Sequence, residues 1–161
     1  NFQTERLVAA VSAVAGCQAV LERTVQYARD RVAFGKPIIK REVWQHRLVD
    51  LYTELEAARQ LTYHAVDRYN DERHVRRTGM LSMDTVMKVS MAKLHVAEMA
   101  DKLVDECLQL HGGMGYMEET FIARFAAAAA SSGCSPFSKR IEASVRRPRP
   151  VLVARMLTAQ S

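Results

Sequence analysis

Proline is almost missing from the body of this chain. Of its four prolines only Pro37 precedes residue 136, so little stands in the way of long helices. Cysteine is scarce as well. Cys17, Cys107 and Cys134 are odd in number, widely spaced and form no Cys-x-x-Cys pair. That pattern argues against a disulfide framework or a zinc site, and for a reducing compartment, so a cytoplasmic location is expected. No apolar run reaches 18 residues, so no membrane span and no membrane partner are expected. No basic segment followed by an apolar stretch opens the chain, so no signal peptide is read. The first residue is Asn1 rather than Met, which reads as a truncated or processed chain.

What is present is a 161-residue chain, 48% hydrophobic and 25% charged, enough for one domain with a real core. Its net charge of +5 is unevenly placed. Residues 1–125 hold 17 Lys and Arg against 17 Asp and Glu. Lys139, Arg140, Arg146, Arg147, Arg149 and Arg155 face only Glu142 in the remainder. An acidic partner could therefore be drawn only to the tail. With Phe137 as the one aromatic among those arginines, nucleic acid is not expected as a partner.

Apolar residues recur at helical spacing in three stretches. Leu7, Val11, Val14, Leu21, Val25 and Ala28 mark a first helix over 4–31, which Gly35 and Pro37 end. Trp44, Leu48, Leu51, Leu55, Ala58, Leu61, Ala65 and Tyr69 mark a second, over 41–70. Residues 71–79 read as a polar hinge, followed by Ser82 as helix N-cap with Asp84 in the first turn. Val86, Val89, Leu94, Ala97, Leu103, Val104 and Cys107 mark a third helix, ending at His111-Gly112-Gly113-Met114-Gly115. A short fourth is expected over 118–129, and no strand pattern appears. Long helices with short joins predict an all-α, antiparallel four-helix bundle over 1–125. Residues 126–161 form an atypical basic tail, rich in Ala, Ser, Arg and Pro, that reads as irregular: disordered or frameshifted.

No metal site is expected. A di-iron bundle needs paired Glu-x-x-His, and the nearest match is Asp71-x-x-His74 in the hinge. Cys17 and Cys107 lie on apolar stripes and read as core thiols. Met80, Met83, Met87, Met91 and Met99 read as gap-fillers of the core. Gly112-Gly113-x-Gly115 follows no strand and so is no dinucleotide fingerprint.

Three segments carry more. They are Glu5-Arg6-Leu7-Val8-Ala9-Ala10, then Tyr27-Ala28-x-x-Arg31-x-Ala33-Phe34-Gly35-Lys36-Pro37, then Leu108-Gln109-Leu110-His111-Gly112-Gly113-Met114-Gly115-Tyr116. In this order and at these separations, residues 1–125 resemble the C-terminal helical domain of the acyl-CoA dehydrogenase family. The resemblance implies an FAD-dependent oxidoreductase of fatty acid metabolism that removes hydrogens from the α and β carbons of an acyl-CoA. It implies a homotetramer that passes electrons to an electron-transfer flavoprotein. It also implies that this chain is a fragment, inactive alone, since the family's N-terminal helical and middle β domains are not in it.

Family roles carry over by position. Glu5, directly before Arg6, matches the catalytic base of the long-chain and isovaleryl types. Arg6 and Tyr116 fall at substrate-binding positions. Arg31, with Phe34 beside it, matches the Arg that contacts the FAD pyrophosphate of a neighbouring subunit. Gln109, Gly112 and Gly113 match the adenosine-side segment. Three features also have plainer readings: Glu5 as a first-turn carboxylate, Arg31 as a helix-end cation, and the glycines as a C-cap. Two departures stand out. Glu42 occupies the place of a Gln that contacts FAD, and the tail lacks the glycine-containing loop that carries the base in most members. The alternative function is a catalytically inactive helical oligomerisation or interaction module derived from the family.

Overall fold

The computed structural model describes residues 2–77, 79–117 and 119–131. Helix α1 spans Phe2–Asp30, α2 Glu42–Asn70, α3 Met83–His111 and α4 Phe121–Ser131. The expected all-α bundle is the observed one.

Side-chain contacts fix the directions of the helices. Thr4 Oγ1 meets the Tyr69 hydroxyl at 2.7 Å, and Arg59 donates to Gln18 Oε1 at 2.8 Å, so α1 and α2 are antiparallel. Arg68 pairs with Asp84 at 2.6 Å, Lys102 with Glu54, and Arg47 with Glu106 at 3.0 Å, so α2 and α3 are antiparallel too. Arg6 donates to Ser90 Oγ at 3.2 Å, 84 residues on, and Tyr27 stacks on His111 at 4.2 Å with that same offset. Hence α1 and α3 run parallel and in register. Helix α4 turns back along both. A Cβ on Gly16 would lie 2.9 Å from the Phe125 ring, and the Arg23 guanidinium sits 3.9 Å from the centre of Phe121.

The core lies where α1, α2 and α3 meet. Val20, Leu55, Leu103 and Ile122 are among its fully buried side chains. Ala126 is buried against Val104, so the start of the alanine run is part of the bundle and α4 continues through Ser131. Residues 132–161, with Cys134 and the basic cluster, lie outside the described residues.

Four sequence expectations differ in detail. First, Val32–Ala33 and Lys36–Pro37 pair as two-residue antiparallel strands, β1 and β2, too short to show alternation in sequence. Phe34 and Gly35 between them both have positive φ, 52° and 80°, the pattern of a tight hairpin turn. Second, the hinge begins as helix: α2 widens into a π-helical turn over Asp71–Val75. Third, the methionine cluster is not core. Only Met99 is buried, at 4% exposure, while Met80 and Met83 exceed 80%. Met83, Met87, Met91 and Leu94 share the outer face of α3, whose inner face is filled by Thr85, Val89, Ala92 and Val96. Fourth, α1 is long and apolar enough to cross a membrane by length and composition, its best 18-residue window averaging 1.3 in hydropathy. Valines most of all, with alanines between them, give it that value without an unbroken run. One face of the helix, Leu7 to Ala28, packs into the bundle.

The π-turn has a purpose in the packing. It brings Glu72 back onto the start of α3, where Ser82 N, Ser82 Oγ and Thr85 Oγ1 donate to its carboxylate at 2.7, 2.5 and 2.7 Å. The Ser82 hydroxyl meanwhile caps α3 by accepting from Thr85 N, as its sequence predicted. The Ser82 hydroxyl most of all, then the Ser82 N–H and the Thr85 hydroxyl, hold the Glu72 carboxyl down at about 2, from an ordinary 4.5. A depressed folded-state value means that ionised Glu72 stabilises the fold above about pH 4.5. That contribution fades as pH falls through the window down to about 2. Glu72→Gln is therefore expected to melt below the parent at neutral pH, with the gap closing on acidification across this window. Thermal melts followed by circular dichroism check it, and a gap equal at every pH refutes the assignment.

Candidate functional site

The singled-out residues fall into two sets at opposite ends of the bundle. Helix α1 separates them: from Glu5 to Asp30 it rises roughly 38 Å at about 1.5 Å per residue.

At one end α1 stops at Asp30 and the hairpin carries the chain over to α2. The backbone of Arg31 is tied at both sides: its N–H donates to Tyr27 O at 2.9 Å and its carbonyl accepts from Ile38 N at 3.0 Å. Its side chain is exposed and, among the described residues, in no ion pair. Phe34 projects from the hairpin tip at 97% exposure. Arg41 holds that tip, donating to Ala33 O at 2.7 Å with its guanidinium 5.4 Å from the centre of the Phe34 ring. Sequence reasoning missed Arg41, although an Arg just beyond an aromatic turn is a usable signal.

The end of α3 lies beside this hairpin because Tyr27 stacks on His111. His111 Nδ1 is 2.8 Å from Cys107 O, and burial lowers the imidazole's affinity for a proton, with that hydrogen bond opposing. Gly112 has φ 58° and donates to Gln109 O, so the C-cap role is filled and needs glycine. Gly113 has open space where a Cβ would stand. Gly115 is different: a Cβ there would lie 2.9 Å from the Leu108 carbonyl oxygen, so this glycine serves the turn itself. Gln109 and Tyr116 are at this same end, Tyr116 at its exposed rim. Glu42 is exposed in the first turn of α2, where the helix dipole favours a carboxylate. An open groove of about 300 Å³ lies alongside, lined by Val25, Ile39, Gln45, Leu48, Val49, Tyr52 and Thr53.

At the other end Glu5 is exposed in the first turn of α1. Arg6 beside it is half-buried, bonded to Ser90 and lying 4.6 Å from the centre of the Phe2 ring. Within one chain, then, Glu5 and Arg6 are together, and Arg31, Phe34, Gln109, Gly112 and Gly113 are together. Tyr116 stands with the second set, a bundle's length from Arg6.

Between the two ends Cys17 and Cys107 are buried, as expected of core thiols. Burial pushes them up to about 12 and about 11, far from the thiolate form that nucleophilic chemistry needs. Among the described residues no group of three His, Cys, Asp or Glu could hold a metal.

Comparison with known proteins decides the family. The family described as "Acyl-CoA dehydrogenase, C-terminal domain" matches residues 1–133. The chain belongs to the acyl-CoA dehydrogenase C-terminal domain family. An acyl-CoA dehydrogenase of Bacillus subtilis is 34% identical over 119 residues, 74% of this chain but 29% of its own length. An acyl-CoA dehydrogenase of Geobacillus kaustophilus of known structure is 37% identical, with a TM-score of 0.66 over 76% of this chain and 30% of its own. A glutaryl-CoA dehydrogenase of Mycobacterium smegmatis, solved in complex with FADH2, is 25% identical, with a TM-score of 0.66 over 78% of this chain and 30% of its own. The chain thus spans about 30% of the length of the relatives it matches. The match runs past residue 125 into the alanine run that α4 contains.

Proposed function

We propose that this chain supplies some of the flavin and substrate site of an FAD-dependent enzyme that dehydrogenates acyl-CoA thioesters between the α and β carbons. The observation that carries the proposal is the split of the site residues between the two ends of one bundle. Family membership ties the bundle to acyl-CoA dehydrogenation, and the split gives each end of it a task of its own.

The hairpin end is suited to a dinucleotide. Arg31 offers an exposed fork of N–H donors outside any ion pair described, the right shape and charge for a diphosphate. Gly113 leaves the space a Cβ would fill, so a ligand can approach the backbone. Phe34 presents a full ring face at the tip. The residues present therefore fit FAD, with Glu42 as the unfavourable charge nearby. FAD when bound supplies the acceptor for the hydride from the β carbon.

The other end is suited to proton removal. Glu5 takes the α proton, and Arg6 next to it places a cation against the bound acyl-CoA. Because roughly 38 Å of helix lies between Glu5 and Arg31, one copy's Arg31 serves the flavin of another copy's reaction centre. That makes a homo-oligomer, a tetramer in the family, integral to the proposal. The reduced flavin is reoxidised by an electron-transfer flavoprotein.

The test is flavin retention by the full-length protein. Arg31→Ala is expected to weaken FAD binding about tenfold to a hundredfold, the range of about 1.5–3 kcal/mol for hydrogen bonds to a charged group. Flavin absorbance remaining after gel filtration measures it. A full-length parent that purifies colourless and takes up no FAD would instead favour the inactive interaction module.

A further inference from the structure

Arg6 is held in an unusual way for an arginine on a helix surface. Its Nη1 donates to Ser90 Oγ at 3.2 Å, and its guanidinium carbon lies 4.6 Å from the centre of the Phe2 ring. The Ser90 hydroxyl hydrogen is itself committed, donating to Val86 O one turn back at 2.9 Å. The oxygen therefore turns its lone pairs toward Arg6. Ser90 is at the right height because α1 and α3 run parallel with an offset of 84 residues, which puts Ser90 level with Arg6.

Both partners are neutral. Among the described residues no carboxylate pairs with Arg6, although Glu5 is its immediate neighbour in sequence. A cation fixed by a hydroxyl and a ring keeps its whole charge for a ligand, and a single bond to Ser90 leaves most of its five N–H donors open. A long arginine released from Ser90 loses that fixed direction and spreads its charge over many rotamers, at an entropic cost to any ligand that must collect it again.

We infer that Ser90 is a positioning residue, which holds the Arg6 guanidinium aimed at the anionic acyl-CoA. This rests on the reading of Arg6 as a substrate-binding residue.

The experiment is a double-mutant cycle in the full-length protein, read by stopped-flow flavin reduction over a range of acyl-CoA concentrations. Ser90→Ala is expected to raise the half-saturating acyl-CoA concentration about tenfold, as loss of a hydrogen bond to a charged group does. Ser90→Thr, which keeps a hydroxyl able to back-bond to the helix, is expected to stay near the parent. On an Arg6→Ala background, Ser90→Ala is expected to change little, because its effect passes through Arg6. An equal penalty on that background, or no rescue by Thr, overturns the proposal and leaves Ser90 as packing only. The 161-residue chain gives a reading that needs no catalysis: side-chain NMR of Arg6 should show slow guanidinium rotation in the parent and in Ser90→Thr, and fast rotation in Ser90→Ala. Equal rotation in parent and Ser90→Ala overturns the positioning alone. Parent-like acyl-CoA affinity in Arg6→Ala overturns the underlying role of Arg6, and the proposal with it.

Discussion

Glu5→Gln, in a full-length acyl-CoA dehydrogenase carrying this bundle, is expected to lower the limiting rate of flavin reduction about 10²–10⁴-fold while leaving acyl-CoA binding near the parent level. The α proton of a thioester is weakly acidic, so the step needs a group with both basicity and reach. Gln keeps the size of Glu and loses the basicity, so the loss belongs in the rate rather than in binding. Two features single out Glu5 among the acids of α1. It stands in the first turn, directly before Arg6, and α1 offers no other carboxylate until Glu22, nearly five turns on. Glu142→Gln is the control, since Glu142 is the one acid after residue 125. Stopped-flow reduction under anaerobic conditions measures both variants. A Glu5→Gln protein that reduces its flavin at the parent rate leaves Glu5 as a first-turn carboxylate and nothing more.

The bundle was legible because each long helix announces its buried face at a spacing of three and four residues. Leu48, Leu51, Leu55, Ala58, Ala65 and Tyr69 are buried as their period predicts. The limits of that signal are equally specific. Met83, Met87, Met91 and Leu94 repeat at the same spacing, so periodicity finds a stripe without saying whether it faces in or out. The larger set on α3, from Thr85 through Val89, Ala92 and Val96 to Leu103, takes the core side and leaves the methionines outside. The π-turn was illegible for another reason. Asp71-Glu72-Arg73-His74 is wholly polar, and polarity in sequence reads as a loop unless a partner is known. Glu72 finds its partners only ten and thirteen residues later, at Ser82 and Thr85. The proposed site residues were picked out as motifs, but no motif contains a distance. That Arg6 and Tyr116 stand at opposite ends follows only once α1 and α3 are known to run parallel.

The 161-residue chain by itself is expected neither to hold FAD tightly nor to dehydrogenate an acyl-CoA. Glu5 is exposed, and a carboxylate surrounded by water is a weak base for a carbon acid, because desolvation is what raises its basicity. For Glu5 to act as the proposed base, substrate or a further protein surface has to cover it. The hairpin end has the same need. Arg31 and Phe34 are exposed at the hairpin, and one face of contact cannot fix a ring system for hydride transfer. Association of copies does not repair this alone. In the proposed assembly one copy's Arg31 would reach another's Glu5 end, yet as a phosphate contact it would still leave the reacting ring unwalled. Adding FAD and then an acyl-CoA to the purified chain, without oxygen, decides the matter. Colourless protein after gel filtration, with no bleaching of the added flavin, is the expected result. Yellow protein that bleaches would mean that copies of the bundle build a complete reaction centre by themselves.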